Sequence, residues 1–209
     1  PLLDNGNHSF EVRALDAQGV ADPTPVTREI YVEHGAVAQV IDNHLEITTL
    51  DGHDDYVTTF GNAPYISVNV WSPPWPNGVS AGPGCVSVSN SQVDCLAPDL
   101  AGISIDTGDG NDTIWQTAGT PGVIDAGSGD DFLAGLNAGD ILLDGPGADT
   151  LGHENLRAAK ADYSDRSEPL SITLDGAAND AGEGDNVLVD NVISGSGADT
   201  ITGSERADS

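Results

Sequence analysis

Positive charge is what this 209-residue sequence has least of: six Lys and Arg stand against 34 Asp and Glu, for a net charge of −28 at pH 7. The cationic footprint that phosphate binding needs is missing, which excludes nucleic acid and anionic membrane as natural partners. No run of about 18 apolar residues occurs, so no membrane-spanning segment is expected. Cysteine is limited to two residues and histidine to five scattered ones, too few and too dispersed for a zinc or copper cluster. Helix-period patterning is also scarce, and 153–161 (HENLRAAKA) is the best place for even a short helix. Methionine is absent and the first residue is Pro, so the sequence is expected to be a piece of a longer chain, and nothing follows from its having no leader. Hydrophobic residues make up 38%, enough for a packed interior.

What the sequence has instead is a period. Blocks of nine run Ala126 to Ala134 (AGSGDDFLA), Gly135 to Leu143 (GLNAGDILL) and Asp144 to Gly152 (DGPGADTLG). The sixth place is Asp131, Asp140 and Asp149, and two places later stand Leu133, Leu142 and Leu151. Small residues, mostly Gly, fill places one, two and four except at Leu136 and Asp144, as tight turns with close backbone approach require. Thr107 to Trp115 (TGDGNDTIW) and Ser194 to Thr202 (SGSGADTIT) repeat the pattern, and a further block at Gly203 offers Asp208. Ala181 to Val189 (AGEGDNVLV) puts Asn186 where Asp belongs. Asp131 and Asp149 are 18 residues apart, whereas Asp112 and Asp131 are 19 apart, which calls for one bulged residue.

An acidic, Gly-rich linker is the competing account of such a composition. A linker has no reason to place an apolar residue two places after each Asp, and each such side chain buried is worth about 1.5–3 kcal/mol. The nonapeptide G-G-x-G-x-D-x-U-x is the pattern of calcium-binding parallel β-helices, and the blocks resemble the RTX, or haemolysin-type, repeat. The resemblance implies an all-β fold: a parallel β-roll or β-solenoid with two nonapeptides per coil, the eighth residue inward, and calcium in the Gly-Asp turns between coils. Carried over by position, the metal set is Gly108, Asp109, Gly110, Asp112, Gly127, Gly129, Asp131, Asp140, Gly145, Gly147, Asp149, Gly195, Gly197 and Asp199. Asp140 is the weak member, because 18 places before and after it stand Gly122 and Ala158, which have no oxygen to share. Calcium suits hard carboxylate and carbonyl donors. Stacked carboxylates about 5 Å apart repel by about 3 kcal/mol per pair at an effective dielectric of 20, so a divalent ion would turn repulsion into folding free energy.

Three regions are expected: 1–33, 34–105, and 106–209 with an insertion at about 153–187. Residues 1–33 alternate as a hairpin (Phe10, Val12, Ala14, then Val26, Ile30, Val32) and resemble the last strands of a truncated immunoglobulin-like sandwich in bacterial surface proteins. The alternative is a hairpin belonging to the next domain. Residues 34–105 are β-rich and, with Gly84, Cys85, Cys95 and the GDGND at 108–112, resemble a lead-in segment of secreted calcium-binding proteins; 162–187 is similar to an insertion in the same group. Cys85 and Cys95 would pair in an oxidising compartment, the alternative being two buried thiols.

No enzyme is expected. Gly78 to Gly82 spells G-x-S-x-G around Ser80 but lacks the strand–turn–helix setting of a nucleophile elbow. His153-Glu154 lacks the second His of a zincin, since position 157 is Arg. His53, Asp54 and Asp55 read as a ligand cluster or a solvated turn, and Asp162, Asp165, Asp180, Glu183 and Asp185 as chance carboxylate pairs or a glycosidase dyad. The expected function is calcium binding by a secreted or cell-surface bacterial structural or adhesive module whose folding depends on calcium. The alternatives are the non-catalytic tail of a secreted hydrolase, or a carbohydrate- or surface-binding module in which Trp71 and Trp75 stack on glycan rings, against buried aromatic plugs.

Overall fold

The structure, a computed structural model, describes residues 6–32, 35–49, 52–62, 64–71, 78–143, 145–155, 158–178 and 180–203. Regular structure among them is entirely β, and the chain divides into two compact units, Pro1–His34 and Gly35–Ser209. The first unit is one antiparallel hairpin of β1 (Gly6–Val12) and β2 (Val26–Val32), in register at Phe10↔Arg28 and Val12↔Val26. Asp16 builds the connection, its Oδ1 accepting the N–H groups of Gln18 and Val20 at 2.9 and 2.8 Å. Phe10, Val12 and Val26 are exposed.

In the second unit, β3 (Ala36–Ile41), β4 (His44–Thr49), β5 (Tyr56–Asn62), β6 (Tyr65–Trp71), β7 (Val79–Ala81), β8 (Cys85–Ser87) and β9 (Gln92–Leu96) come first. They are followed by β10 (Gly102–Asp106), β11 (Thr113–Gln116), β12 (Gly122–Asp125), β13 (Phe132–Gly135), β14 (Ile141–Leu143), β15 (Thr150–Leu151) and β16 (Lys160–Asp162). Last come β17 (Ser171–Thr173), β18 (Asn186–Val187), β19 (Asn191–Ile193) and β20 (Thr200–Thr202). From β10 to β16 the chain alternates between two eight-stranded sheets. One runs β19-β16-β14-β12-β10-β4-β3-β7, the other β18-β15-β13-β11-β5-β6-β9-β8, and β17 pairs with β20 apart from both. Pairing is parallel from β4 to β19 and from β5 to β18, so each strand's neighbour is one full circuit later in sequence. Residues 35–105 and the repeats thus share the same sheets, β10 lying on β4 and β11 on β5.

The period dictates this core. Side chains alternate across a strand, and the eighth place of the repeats between Thr107 and Gly152 faces inward: Ile114, Leu133 and Leu151 stack in one sheet with no exposure, and Leu142 lies in the other with Ile105 and Ile124. Ile201 is 44% exposed on β20. The bulge anticipated between Asp112 and Asp131 falls in the turn between β11 and β12. Thr113 pairs with Phe132, 19 residues on, whereas Val123 pairs with Ile141, 18 on, and the Gly-Asp turns at the opposite edge keep their stacking.

The helix expected over 153–161 does not form. Lys160–Asp162 is β16, held between β14 and β19, and residues 156 and 157 lie outside the described ones. The inward burial of Ala161 and two flanking ladders outweigh alanine's helix preference. Cys85 and Cys95 face each other across β8 and β9 and form a disulfide.

Candidate metal centre

Three successive circuits of the chain turn at one edge through Gly-x-Gly-x-Asp, at 108–112, 127–131 and 145–149, before entering the second sheet. A Cβ added at Gly127 would lie 1.9 Å from the Gly108 carbonyl oxygen, and one at Gly145 1.7 Å from that of Gly127. The other glycine repeats this, Gly129 over Gly110 at 1.7 Å and Gly147 over Gly129 at 1.8 Å. Gly110, Gly129 and Gly147 also sit at φ of 145°, 142° and 146°, where side chains are strained. These glycines are demanded by close contact between turns, which leaves two columns of carbonyls lining the edge.

The sixth-place aspartates form a third column between the carbonyls and the core. Asp55 N–H donates to Asp112 Oδ1 at 2.7 Å, Asp112 N–H to Asp131 Oδ1 at 2.7 Å, and Asp131 N–H to Asp149 Oδ1 at 3.0 Å. Asp149 N–H donates to Asp185 Oδ1 at 3.0 Å, and the Tyr163 hydroxyl donates to Asp185 Oδ2 at 3.1 Å. All five aspartates are buried. One carboxylate oxygen per rung is therefore used within the column; Asp149 Oδ2 also accepts the Gly145 N–H at 3.3 Å, while Asp112 Oδ2 and Asp131 Oδ2 are buried with no hydrogen-bond partner. Outside it runs an exposed line in which Asp54, Asn111 and Asp130 accept the N–H groups of Asn111, Asp130 and Ala148 at 2.9, 2.8 and 3.0 Å. Asp109 joins this edge through the Ser128 hydroxyl.

Burial is the largest influence on these carboxyls and pushes Asp131 up to about 7, with the charges of Asp149, Asp112 and Asp130 adding to it against the Asp112 N–H. Burial likewise pushes Asp112 and Asp149 up to about 6, opposed by the N–H groups of Asp55 and Asp131 and reinforced by the charges of Asp55 and Asp185 respectively. Desolvation and like charges both disfavour the ionised form, a penalty that a bound proton or a neighbouring cation relieves.

Other singled-out residues fall elsewhere. Asp140 is fully buried at the opposite edge, with Gln116 Nε2 and Gly122 N–H on Oδ1 at 3.0 and 2.8 Å and Asn137 N–H on Oδ2 at 2.8 Å. Its carboxylate is satisfied by N–H donors. Asp199 accepts the N–H of Leu170 at 3.0 Å, and Gly195 and Gly197 lie over the carbonyls of Arg166 and Glu168. Ser80 lies on β7 with no helix after it, His153 stacks against Trp115, and Trp71 is exposed. Trp75 and Asp208 lie outside the described residues.

Asp55 and Asp185 join the column although neither fits the nonapeptide frame. Asp55 lies in the first turn, where Asp54-Asp55 matches the Asp130-Asp131 doublet. Asp185 stands one place before the Asn186 that the frame selects, and Asn186 pairs with Thr150 as a strand residue. Among the described residues no three His, Cys, Asp or Glu side chains gather as a side-chain metal cage needs. No helix among them is long and apolar enough to cross a membrane. Comparison with protein-family models, with curated proteins and with solved structures gives no match.

Proposed function

We propose that Gly35 onward forms a calcium-set parallel β-solenoid of the RTX type, a stiff structural or adhesive segment of a secreted or cell-surface protein. The observation that carries this is the pair of buried, unpartnered oxygens Asp112 Oδ2 and Asp131 Oδ2 beside two columns of glycine carbonyls. An unpaired ionised oxygen costs too much to bury without compensation, and neutral N–H donors occupy only the other oxygen of each carboxylate. Asp112, Asp131 and Asp149 would hold ions between successive turns, with carbonyls from Gly108, Gly110, Gly127, Gly129 and Gly147 for most of the shell, the Gly145 carbonyl being held by Arg166. A mixed carboxylate and carbonyl set is calcium's preference, and its flexible coordination tolerates carbonyl-rich sites. When bound, calcium supplies the positive charge that the chain lacks. The chain's own residues stack the turns and bury the carboxylates on the core side.

Asp140 is left out of this set because it lies at the opposite edge from the glycine carbonyls, where three N–H donors hold its two oxygens. The Cys85–Cys95 disulfide supports an oxidising, extracellular setting, where millimolar calcium would favour the folded state. Far-ultraviolet circular dichroism and melting in calcium and then in excess chelator test the proposal. Calcium is expected to raise the melting temperature and sharpen the β spectrum, and a chain indifferent to both reagents overturns it.

A further inference from the structure

The calcium reading sets up a question at the turn of residues 165–170, Asp-Arg-Ser-Glu-Pro-Leu, which the repeat pattern does not pick out. This turn occupies a full rung. A Cβ on Gly195 would lie 2.1 Å from the Arg166 carbonyl oxygen, one on Gly197 would lie 2.2 Å from that of Glu168, and Leu170 N–H donates to Asp199 Oδ1 at 3.0 Å. Gly127 and Gly145, Gly129 and Gly147, and Asp131 and Asp149 are related in the same three ways. Residues 166, 168 and 170 thus stand where the other rungs carry Gly, Gly and Asp, and they are Arg, Glu and Leu. The rung has lost its column carboxylate and gained a cation.

The Arg166 guanidinium lies where an ion of the column would meet the next turn. Its Nη2 donates to the Gly145 carbonyl at 2.9 Å and to Glu183 Oε2 at 2.5 Å, and Nη1 donates to Glu168 Oε1 at 3.4 Å. One carbonyl of the glycine column and two carboxylates converge on it, a hard-oxygen set like the one calcium selects, and its side chain is 17% exposed. The insertion completes the arrangement. Residues 180–188 bond to β15 on one side through Asn186 and Leu188 N–H, and to β17 on the other through Ala181 N–H and Asp180. This wedge supplies Glu183 to the guanidinium, and it supplies Asp185 to the Asp149 N–H that Leu170 has no carboxylate to accept.

We infer that this rung is a cation site filled by the chain's own Arg166, which ends the ion column at the third Gly-Asp turn and makes the last rungs independent of calcium. The inference rests on the calcium reading of the preceding rungs. Hydrogen exchange of the intact chain in calcium and in chelator separates the two. The amides of Asp112 and Asp131 are expected to lose at least about tenfold in protection when calcium is removed, while those of Leu170 and Ser196 keep theirs. If none of the four responds, the calcium reading falls and this inference with it. If all four respond alike, the calcium reading stands and the resident-cation inference is overturned. Calorimetric titration gives a second test. Arg166→Gln is expected to bind one more calcium per chain than wild type, Arg166→Lys the same number as wild type, and Arg166→Gln combined with Glu183→Gln no extra ion. An unchanged number in a folded Arg166→Gln chain refutes the inference, and for a variant that does not fold the exchange experiment decides.

Discussion

Replacing Asp131 by Asn should move stability in opposite directions with and without calcium. The Asn side chain keeps an oxygen to accept the Asp112 N–H and removes the charge whose second oxygen has no partner. In the unfolded chain this carboxyl ionises at ~3.9, and in the folded chain it is raised to about 7, a difference of at most ~4 kcal/mol above neutrality. Water reaching the turn screens part of this, leaving about 2 kcal/mol. The folded state holds the proton more tightly, so the metal-free wild type should be most stable near pH 4. It should lose stability as pH rises towards 7 and stay level above that. At pH 8 the metal-free Asp131→Asn chain should therefore melt ~4–8 °C above wild type, and by pH 4 the difference should vanish. Calcium reverses the order. Wild type gains ~2.7 kcal/mol per site at a hundredfold excess over Kd, and the variant forfeits the ions that share Asp131. Differential scanning calorimetry at pH 8 and pH 4, in chelator and in calcium, gives all four values. A metal-free variant less stable than wild type at pH 8, or one with an undiminished calcium response, would refute the reasoning.

Gly129→Ala places a methyl 1.7 Å from the Gly110 carbonyl at a φ of 142°, and denaturant unfolding in calcium should show a loss of ~3–5 kcal/mol. Gly182→Ala, with a φ of 87° and nothing within 4 Å, should cost only ~1 kcal/mol in the same assay. Asp140→Asn turns an amide towards N–H donors and should cost ~2–3 kcal/mol while leaving the number of bound calcium ions unchanged in a calorimetric titration. Reducing Cys85–Cys95, which closes a loop across a separation of 10 residues, should cost ~2–3 kcal/mol and lower the melting temperature without affecting calcium binding.

The stacked part of the site was legible because it repeats. A period of nine with two repeats per circuit returns Asp131 and Asp149 to the same edge after 18 residues, and it returns Leu133 and Leu151 to the same inward column. Where the period breaks, legibility ends. The frame selects Asn186, but the backbone pairs Asn186 with Thr150 and brings Asp185 into the column instead. Asp140 fits the frame and stands apart, because its turn lies at the other edge, where Gln116, Gly122 and Asn137 offer only N–H groups.

The sequence by itself determined that this chain is β-structured, strongly anionic and periodic, since residue type and spacing set strand alternation, turn geometry and charge without reference to distant contacts. Only the tertiary structure decided which carboxylates share a column, that Lys160–Asp162 pairs as a strand, and that Arg166 reaches the Gly145 carbonyl 21 residues away. Those outcomes depend on which turn stacks on which. Across an insertion, pairing between backbones sets that register, and no local pattern encodes it.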